Sequence, residues 1–193
     1  MKLVCIGDSL TFGYGVPSNC SWVWLIKESL QMEVLNKGAN GDTTSGMLSR
    51  FYEDVVKSHP NYVIITGGSN DFMSNRPLKM VTDNLTLIVK EALNSSIIPI
   101  MGIEPAINKT MAEKKWDGTL DYKKINKIQE DYRNWAIEFC DKNKLHYIDY
   151  YNCFMENSKD TNVHHLFVDG LHPSILGHKL MAEYTVNFLK SLT

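Results

Sequence analysis

Tyr62-Val63-Ile64-Ile65-Thr66, running directly into Gly67-Gly68-Ser69-Asn70-Asp71, is the stretch that decides the fold. Residues 62–66 are β-branched or aromatic with no polar alternation, the pattern of a strand buried on both faces in a parallel sheet. Working toward the N-terminus, residues 43–57 carry Met47, Leu48, Phe51, Val55 and Val56 at helical spacing, and Pro60 stops that helix. Residues 33–36 read as a short strand. Residues 21–31 read as a helix with Ser21 as its N-cap, and residues 2–6 form an apolar strand ended by Gly7.

Toward the C-terminus the alternation continues. Residues 78–94 are predicted helical, with Val81, Leu85, Ile88 and Leu93 on one side. Residues 97–103 form a strand interrupted only by Pro99, residues 121–143 a long amphipathic helix, residues 145–150 a fifth strand and residues 174–192 a closing helix. Strand and helix alternating in this way imply a parallel sheet covered by helices on both faces. Residues 104–120 interrupt the pattern. A connection of that length is uncommon unless functional, and it leaves the carboxyl end of a strand, where open α/β sheets bind ligands. It reads either as a partial wall or lid over a site or as a surface loop.

The chain has 193 residues, which fits one domain spanning 1–193. At this size a single core buries roughly 70% of the surface of the unfolded chain. Twenty basic residues face 22 acidic ones for a net charge of −2, so nothing marks a nucleic-acid or anionic-membrane partner. The apolar run after Lys2 is shorter than the ~7–15 residues of a secretory core, and Ile97–Ile103 falls short of the ~20 residues that span a bilayer. The expectation is a soluble cytoplasmic protein. The cysteines at 5, 20, 140 and 153 lack CxxC spacing and are expected as free thiols.

Four short blocks carry the candidate chemistry: Gly7-Asp8-Ser9-Leu10, Asn40-Gly41-Asp42-Thr43-Thr44, Gly67-Gly68-Ser69-Asn70-Asp71 and Asp169-Gly170-Leu171-His172-Pro173. The first three follow strands one to three and share one rim of the sheet. The fourth precedes the closing helix and folds over that rim. A neutral serine hydroxyl needs a base within hydrogen-bond reach, and histidine is the side chain suited to that role, which makes His172 the candidate. Asp169, three residues earlier, holds the other ring nitrogen. An oxyanion needs preorganised donors; the amides of Ser9 and Gly41 and the side-chain NH₂ of Asn70 are the candidates. Asp8, Asp42 and Asp71 are expected to bond loop amides or cap helices.

These blocks, in this order, resemble the GDSL or SGNH hydrolase family, in which Ser, Gly, Asn and His follow one another and the aspartate lies three residues before the histidine. The resemblance covers residues 7 to 172. It departs slightly in the third block, GGSND where many members have a GxND form, and Asn70 still aligns. It implies a three-layer α/β/α sandwich with a five-stranded parallel sheet in flavodoxin-like order. It also implies a serine ester hydrolase with Ser9, Asp169 and His172 as catalytic residues and Ser9, Gly41 and Asn70 at the oxyanion hole. The family spans lipases, arylesterases, thioesterases, lysophospholipases and carbohydrate deacetylases, so the expectation is a small soluble ester, with an acetylated sugar as the contender.

Phe72 and Met73, directly after Asp71, are candidate substrate-binding residues lining an acyl or alcohol pocket. Trp22 and Trp24 lie two apart on a helix and cannot both face the core. No cofactor is expected, and no metal: His164-His165 stand near Asp169 and His172, but no Cys or further carboxylate lies nearby at ligand spacing. A flavodoxin-like nucleotide-binding module is the competing class, and neither a Walker lysine nor a GxGxxG supports it.

Overall fold

The computed structural model describes residues 1–30, 32–160 and 165–192. In chain order the regular elements are β1 (Lys2–Gly7), α1 (Ser9–Phe12), α2 (Trp22–Ser29), β2 (Glu33–Gly38), α3 (Thr44–Asp54), β3 (Tyr62–Thr66), α4 (Ser69–Met73) and α5 (Leu78–Asn94). They continue with β4 (Ile98–Ile103), α6 (Lys109–Lys115), α7 (Tyr122–Asn143), β5 (His146–Asp149), α8 (Tyr150–Asp160) and α9 (Ile175–Ser191). The five strands form one sheet in the order β2-β1-β3-β4-β5, and every neighbouring pair is parallel. This is the flavodoxin-like order, and its switch point lies between β1 and β3, where ligands of open α/β sheets bind.

Side-chain alternation along the strands builds two cores. Val4, Ile6, Val63 and Ile65 point to one face and pack with residues of α3, α5 and α7. Leu3, Cys5, Ile64, Ile100 and Ile148 point to the other and pack with α2, α8 and α9. Trp22 is fully buried and its indole N–H donates to the Leu10 carbonyl at 2.9 Å, while Trp24 is exposed. The helix caps are chemical rather than incidental: Ser21, Thr43, Asp121 and Ser174 each accept an N–H from the first turn of α2, α3, α7 and α9. All four cysteines are free.

Several boundaries differ from the expected ones. The helix expected over 43–57 ends at Asp54, and residues 56–58 form a 3₁₀ turn. Leu93 is 51% exposed; Val81, Leu85, Ile88 and Ala92 make the buried stripe, since 92 continues the i+4, i+7 spacing and 93 lies a further 100° around the helix. The fifth strand ends at Asp149, and Tyr150, expected in it, opens α8 with residues 151–160, not assigned from sequence; the Tyr150 hydroxyl bonds the Thr185 hydroxyl at 2.7 Å.

Residues 104–120 form a wall. Ile107, Met111 and Ala112 are buried. Asn108 caps α6 through its side chain, and its amide donates to the Gly170 carbonyl at 2.8 Å. Asn126 of α7 ties the Ile107 carbonyl at 2.9 Å. The approach is close enough that a Cβ on Gly170, at φ +97°, would overlap the Ala112 amide and the Asn108 carbonyl. Glycine is therefore required for that wall to meet the 169–172 turn.

Candidate active site

Ser9 is placed by a short, heavily bonded turn. Asp8 caps α1 by accepting the Leu10 amide at 2.9 Å, and Arg50 donates to the Gly7 carbonyl at 2.9 Å. Ser9 is the first residue of α1, where the amide has no intrahelical acceptor. Its hydroxyl is nearly buried and lies 3.0 Å from His172 Nε2. The turn that brings His172 there is held by Asp169. One carboxylate oxygen accepts the amides of Leu171 and His172 at 2.9 and 2.8 Å, and the other lies 2.7 Å from His172 Nδ1. Accepting from Nδ1–H fixes the tautomer that leaves Nε2 as an acceptor for the serine proton. Burial pushes the Asp169 carboxyl up, but the His172 ring and the two amides outweigh it and hold the group below the usual carboxylate range.

Gly41 and Asn70, the other oxyanion candidates, lie in the second and third rim loops. Gly41 sits in a left-handed turn, φ +73°, with open space on its Cβ side. Asn70 lies in the first turn of α4, and its side-chain NH₂ donates to Asp8 Oδ2 at 3.0 Å and to the Asp42 carbonyl at 2.9 Å. Asn70 thus ties the first three rim loops together. The neighbouring aspartates serve the loops as expected. Asp42 accepts the Thr43 amide and the Arg50 guanidinium, and Asp71 accepts the amide and hydroxyl of Thr44.

Two candidates change. Phe72 is 2% exposed and packs on Tyr132 with ring centroids 5.8 Å apart. Met73 is half-buried against the same core cluster. Two residues past Asn70 on a helix, Phe72 points about 200° around the axis from it and turns inward, so a core position replaces the expected pocket wall. The aromatic lining comes from elsewhere. Tyr14 and Trp116 flank the His172 ring at 4.5 and 4.8 Å and meet each other edge-on at 6.3 Å. Both keep exposed surface, 42% and 44%. Tyr14 lies in the loop after α1, and Trp116 ends α6 within the 104–120 connection. No local pattern marks either, because their meeting with His172 is made by three separate loops. A groove of about 450 Å³, lined by Phe12, Val16, Trp24, Lys27 and Asn36 among others, opens along β2 and not over Ser9. His164 of the His164-His165 pair lies outside the described residues.

Comparison with known proteins bears on the family and the fold. The sequence pattern of the GDSL-like Lipase/Acylhydrolase family matches residues 5–180. An arylesterase of Vibrio mimicus is 29% identical over 124 residues, which make up 60% of this chain and 62% of that protein, so the chain spans less than two thirds of that relative's length. An acetylxylan esterase of Geobacillus stearothermophilus is 24% identical across 94% of this chain and 90% of its own. The crystal structure of a member of the lipolytic protein G-D-S-L family from Veillonella parvula DSM 2008 superposes with a TM-score of 0.84 at 23% identity, covering 98% of each chain, and shares the fold. Since the family pattern runs from β1 through all three rim loops and past the Asp169–His172 turn into α9, the chain belongs to the GDSL-like Lipase/Acylhydrolase family.

Proposed function

We propose that the protein is a serine hydrolase of small carboxylic esters. The observation that carries this is the continuous, nearly buried relay from Ser9 Oγ to His172 Nε2 at 3.0 Å and from His172 Nδ1 to Asp169 at 2.7 Å. His172 takes the Ser9 proton as Oγ attacks the acyl carbonyl, and Asp169 stabilises the imidazolium that forms. The tetrahedral intermediate collapses as His172 returns the proton to the leaving alcohol. Water, activated by the same imidazole, then releases the acid from the acyl-serine. The amides of Ser9 and Gly41 and the Asn70 side chain stabilise the oxyanion. Both Asn70 N–H bonds are already directed at protein acceptors. Asn70 therefore joins by sharing one of them with the oxygen as its charge grows, because a charged acceptor outcompetes a neutral carbonyl.

The alcohol side of the ester is the side that faces His172, since that ring protonates it. Tyr14 and Trp116 flank the ring, which favours an alcohol bearing a flat or ring-shaped apolar face. This supports an aryl ester and equally an acetylated sugar; the likeness to an acetylxylan esterase over 94% of the chain favours carbohydrate O-acetylesterase as the second reading. No helix among the described residues is long and apolar enough to cross a membrane. Cytoplasmic placement is part of the proposal and is supported by four free thiols.

The test is hydrolysis of p-nitrophenyl acetate by the wild type and Ser9→Ala, alongside labelling by a fluorophosphonate probe. Ser9→Ala is expected to unfold at the wild-type temperature, to lose turnover and to escape the probe. Turnover near the wild-type level in Ser9→Ala removes Ser9 as nucleophile.

A further inference from the structure

We propose that Glu104, at the end of β4, is a positioning residue for the oxyanion side of the site: it shares a proton with Asp8 beneath Ser9, and so fixes the carboxyl on which Asn70 is held. The proposal rests on Asn70 acting at the oxyanion. Strands β1 and β4 flank β3, so the end of each reaches under the loop that carries Asn70. Both carboxyls are buried, and they contact each other.

The donors around the pair are accounted for oxygen by oxygen. Asp8 Oδ1 takes the Leu10 amide and Oδ2 takes Asn70 Nδ2. Glu104 Oε2 takes the amide and hydroxyl of Ser69 at 2.9 and 2.6 Å. Glu104 Oε1 is buried and finds no protein donor. Two ionised carboxylates touching out of water repel strongly and lack counter-charge. One proton between Asp8 and Glu104 Oε1 removes a charge and supplies the missing donor.

The network beyond the pair leads only to the site. Gln129 of α7 donates to the Ser69 hydroxyl at 2.9 Å and accepts the Ile107 amide at 3.3 Å. It braces the same serine from the wall of residues 104–120. Glu104 therefore grips Ser69 directly and Asn70 through Asp8, fixing the first turn of α4 from both sides.

Among the described residues no cation neutralises the pair. In the β2–α3 segment, Arg50 is engaged by Asp42, Asp54 and two carbonyls. Beyond α4, Arg76 lies 3.6 Å from Asp71. Asp42 and Asp71 add negative potential from those two elements. From α7, Tyr132 stays neutral, its hydroxyl pushed well up by burial and by these carboxylates. His172 reaches the pair only through Ser9. Burial and Glu104 raise the Asp8 carboxyl well above the ordinary range, so the shared proton is lost only as pH rises past that range. Its loss sets two bare carboxylates against each other and moves Asp8 away from Asn70.

The experiment is steady-state hydrolysis of p-nitrophenyl acetate from about pH 6 to 10, corrected for spontaneous hydrolysis, for the wild type, Glu104→Gln and Glu104→Leu. The Gln carbonyl can keep both Ser69 bonds while its NH₂ replaces the shared proton with a permanent donor. Glu104→Gln is expected to hold kcat within about threefold at neutral pH and to lose the alkaline fall, whereas Glu104→Leu lowers kcat about 10–100-fold with KM within about twofold. A folded Glu104→Leu with wild-type kcat overturns the proposal, as does Glu104→Gln with an unchanged alkaline limb. If Glu104→Leu does not fold, Glu104→Gln decides, with thermal unfolding as second readout. The folded wild type holds a proton that the unfolded chain has released above the ordinary carboxyl range. Its Tm therefore falls as pH rises there, and the fall is shallower in Glu104→Gln. A silent Asn70→Ala defeats the oxyanion reading itself. A damaging Asn70→Ala beside silent Glu104 variants defeats this proposal alone.

Discussion

Replacing Asn70 by alanine separates the loop tie that the structure shows from the oxyanion role proposed for it. In the resting site its NH₂ donates to Asp8 Oδ2 at 3.0 Å and to the Asp42 carbonyl at 2.9 Å. In the proposed mechanism it donates to the oxyanion in the transition state. Loss of one such donor costs on the order of 10²–10³ in kcat, about 3–4 kcal/mol, with little change in KM. The structural role is read in a different measurement. Alanine leaves buried Asp8 Oδ2 without its amide donor, a loss of about 1–3 kcal/mol. For a domain of this size that lowers Tm by roughly 2–4 °C per kcal/mol. Asn70→Asp is expected to be at least as harmful to kcat, because it places a carboxylate toward both Asp8 and the oxyanion. The assay is kcat and KM on p-nitrophenyl acetate well below the Tm of each variant. A folded Asn70→Ala within about fivefold of wild-type kcat refutes the oxyanion role, since that ratio corresponds to about 1 kcal/mol or less. A lowered Tm would then show Asn70 to be a tie between loops and nothing more.

Asp169→Asn keeps an oxygen for the amides of Leu171 and His172 but presents an NH₂ to Nδ1. The opposite tautomer then points a proton at Ser9, and kcat is expected to fall by about 10⁴; a loss under tenfold refutes the tautomer argument. Trp116→Ala is expected to raise KM for p-nitrophenyl acetate more than it lowers kcat, and to matter less for ethyl acetate, whose alcohol has no ring to pack; equal effects on both esters refute an alcohol-side role. His178 is buried and accepts the Trp22 amide at 3.3 Å, which requires a neutral ring, and burial lowers its pKa to about 4. The unfolded chain binds that proton from about pH 6.5 downward and the folded chain does not, so stability falls with pH between about 6.5 and 4, by at most about 3 kcal/mol. Thermal melts of His178→Gln across that interval are expected to show a shallower acid loss, and an unchanged slope refutes it.

The sequence by itself determined the order and kind of the main elements, because burial writes period 2 into strands such as Tyr62–Thr66 and period 3.6 into helices such as Leu78–Asn94. It also determined Ser9, Gly41, Asn70, Asp169 and His172 as the candidate site, because each lies in a short turn at a strand end or before a helix. Such turns are local chemistry, readable within a few residues. Only the tertiary structure decided which way neighbouring side chains point. Phe72 lies two residues from Asn70 and faces the core. Short helices such as α1, α4 and α6 left too few turns to show a period. The meeting of Tyr14, Trp116 and His172 joins three loops. That of Asp8 with Glu104 joins the ends of two strands separated by a third. Contacts of that kind come from strand order and loop packing, and no local periodicity carries them.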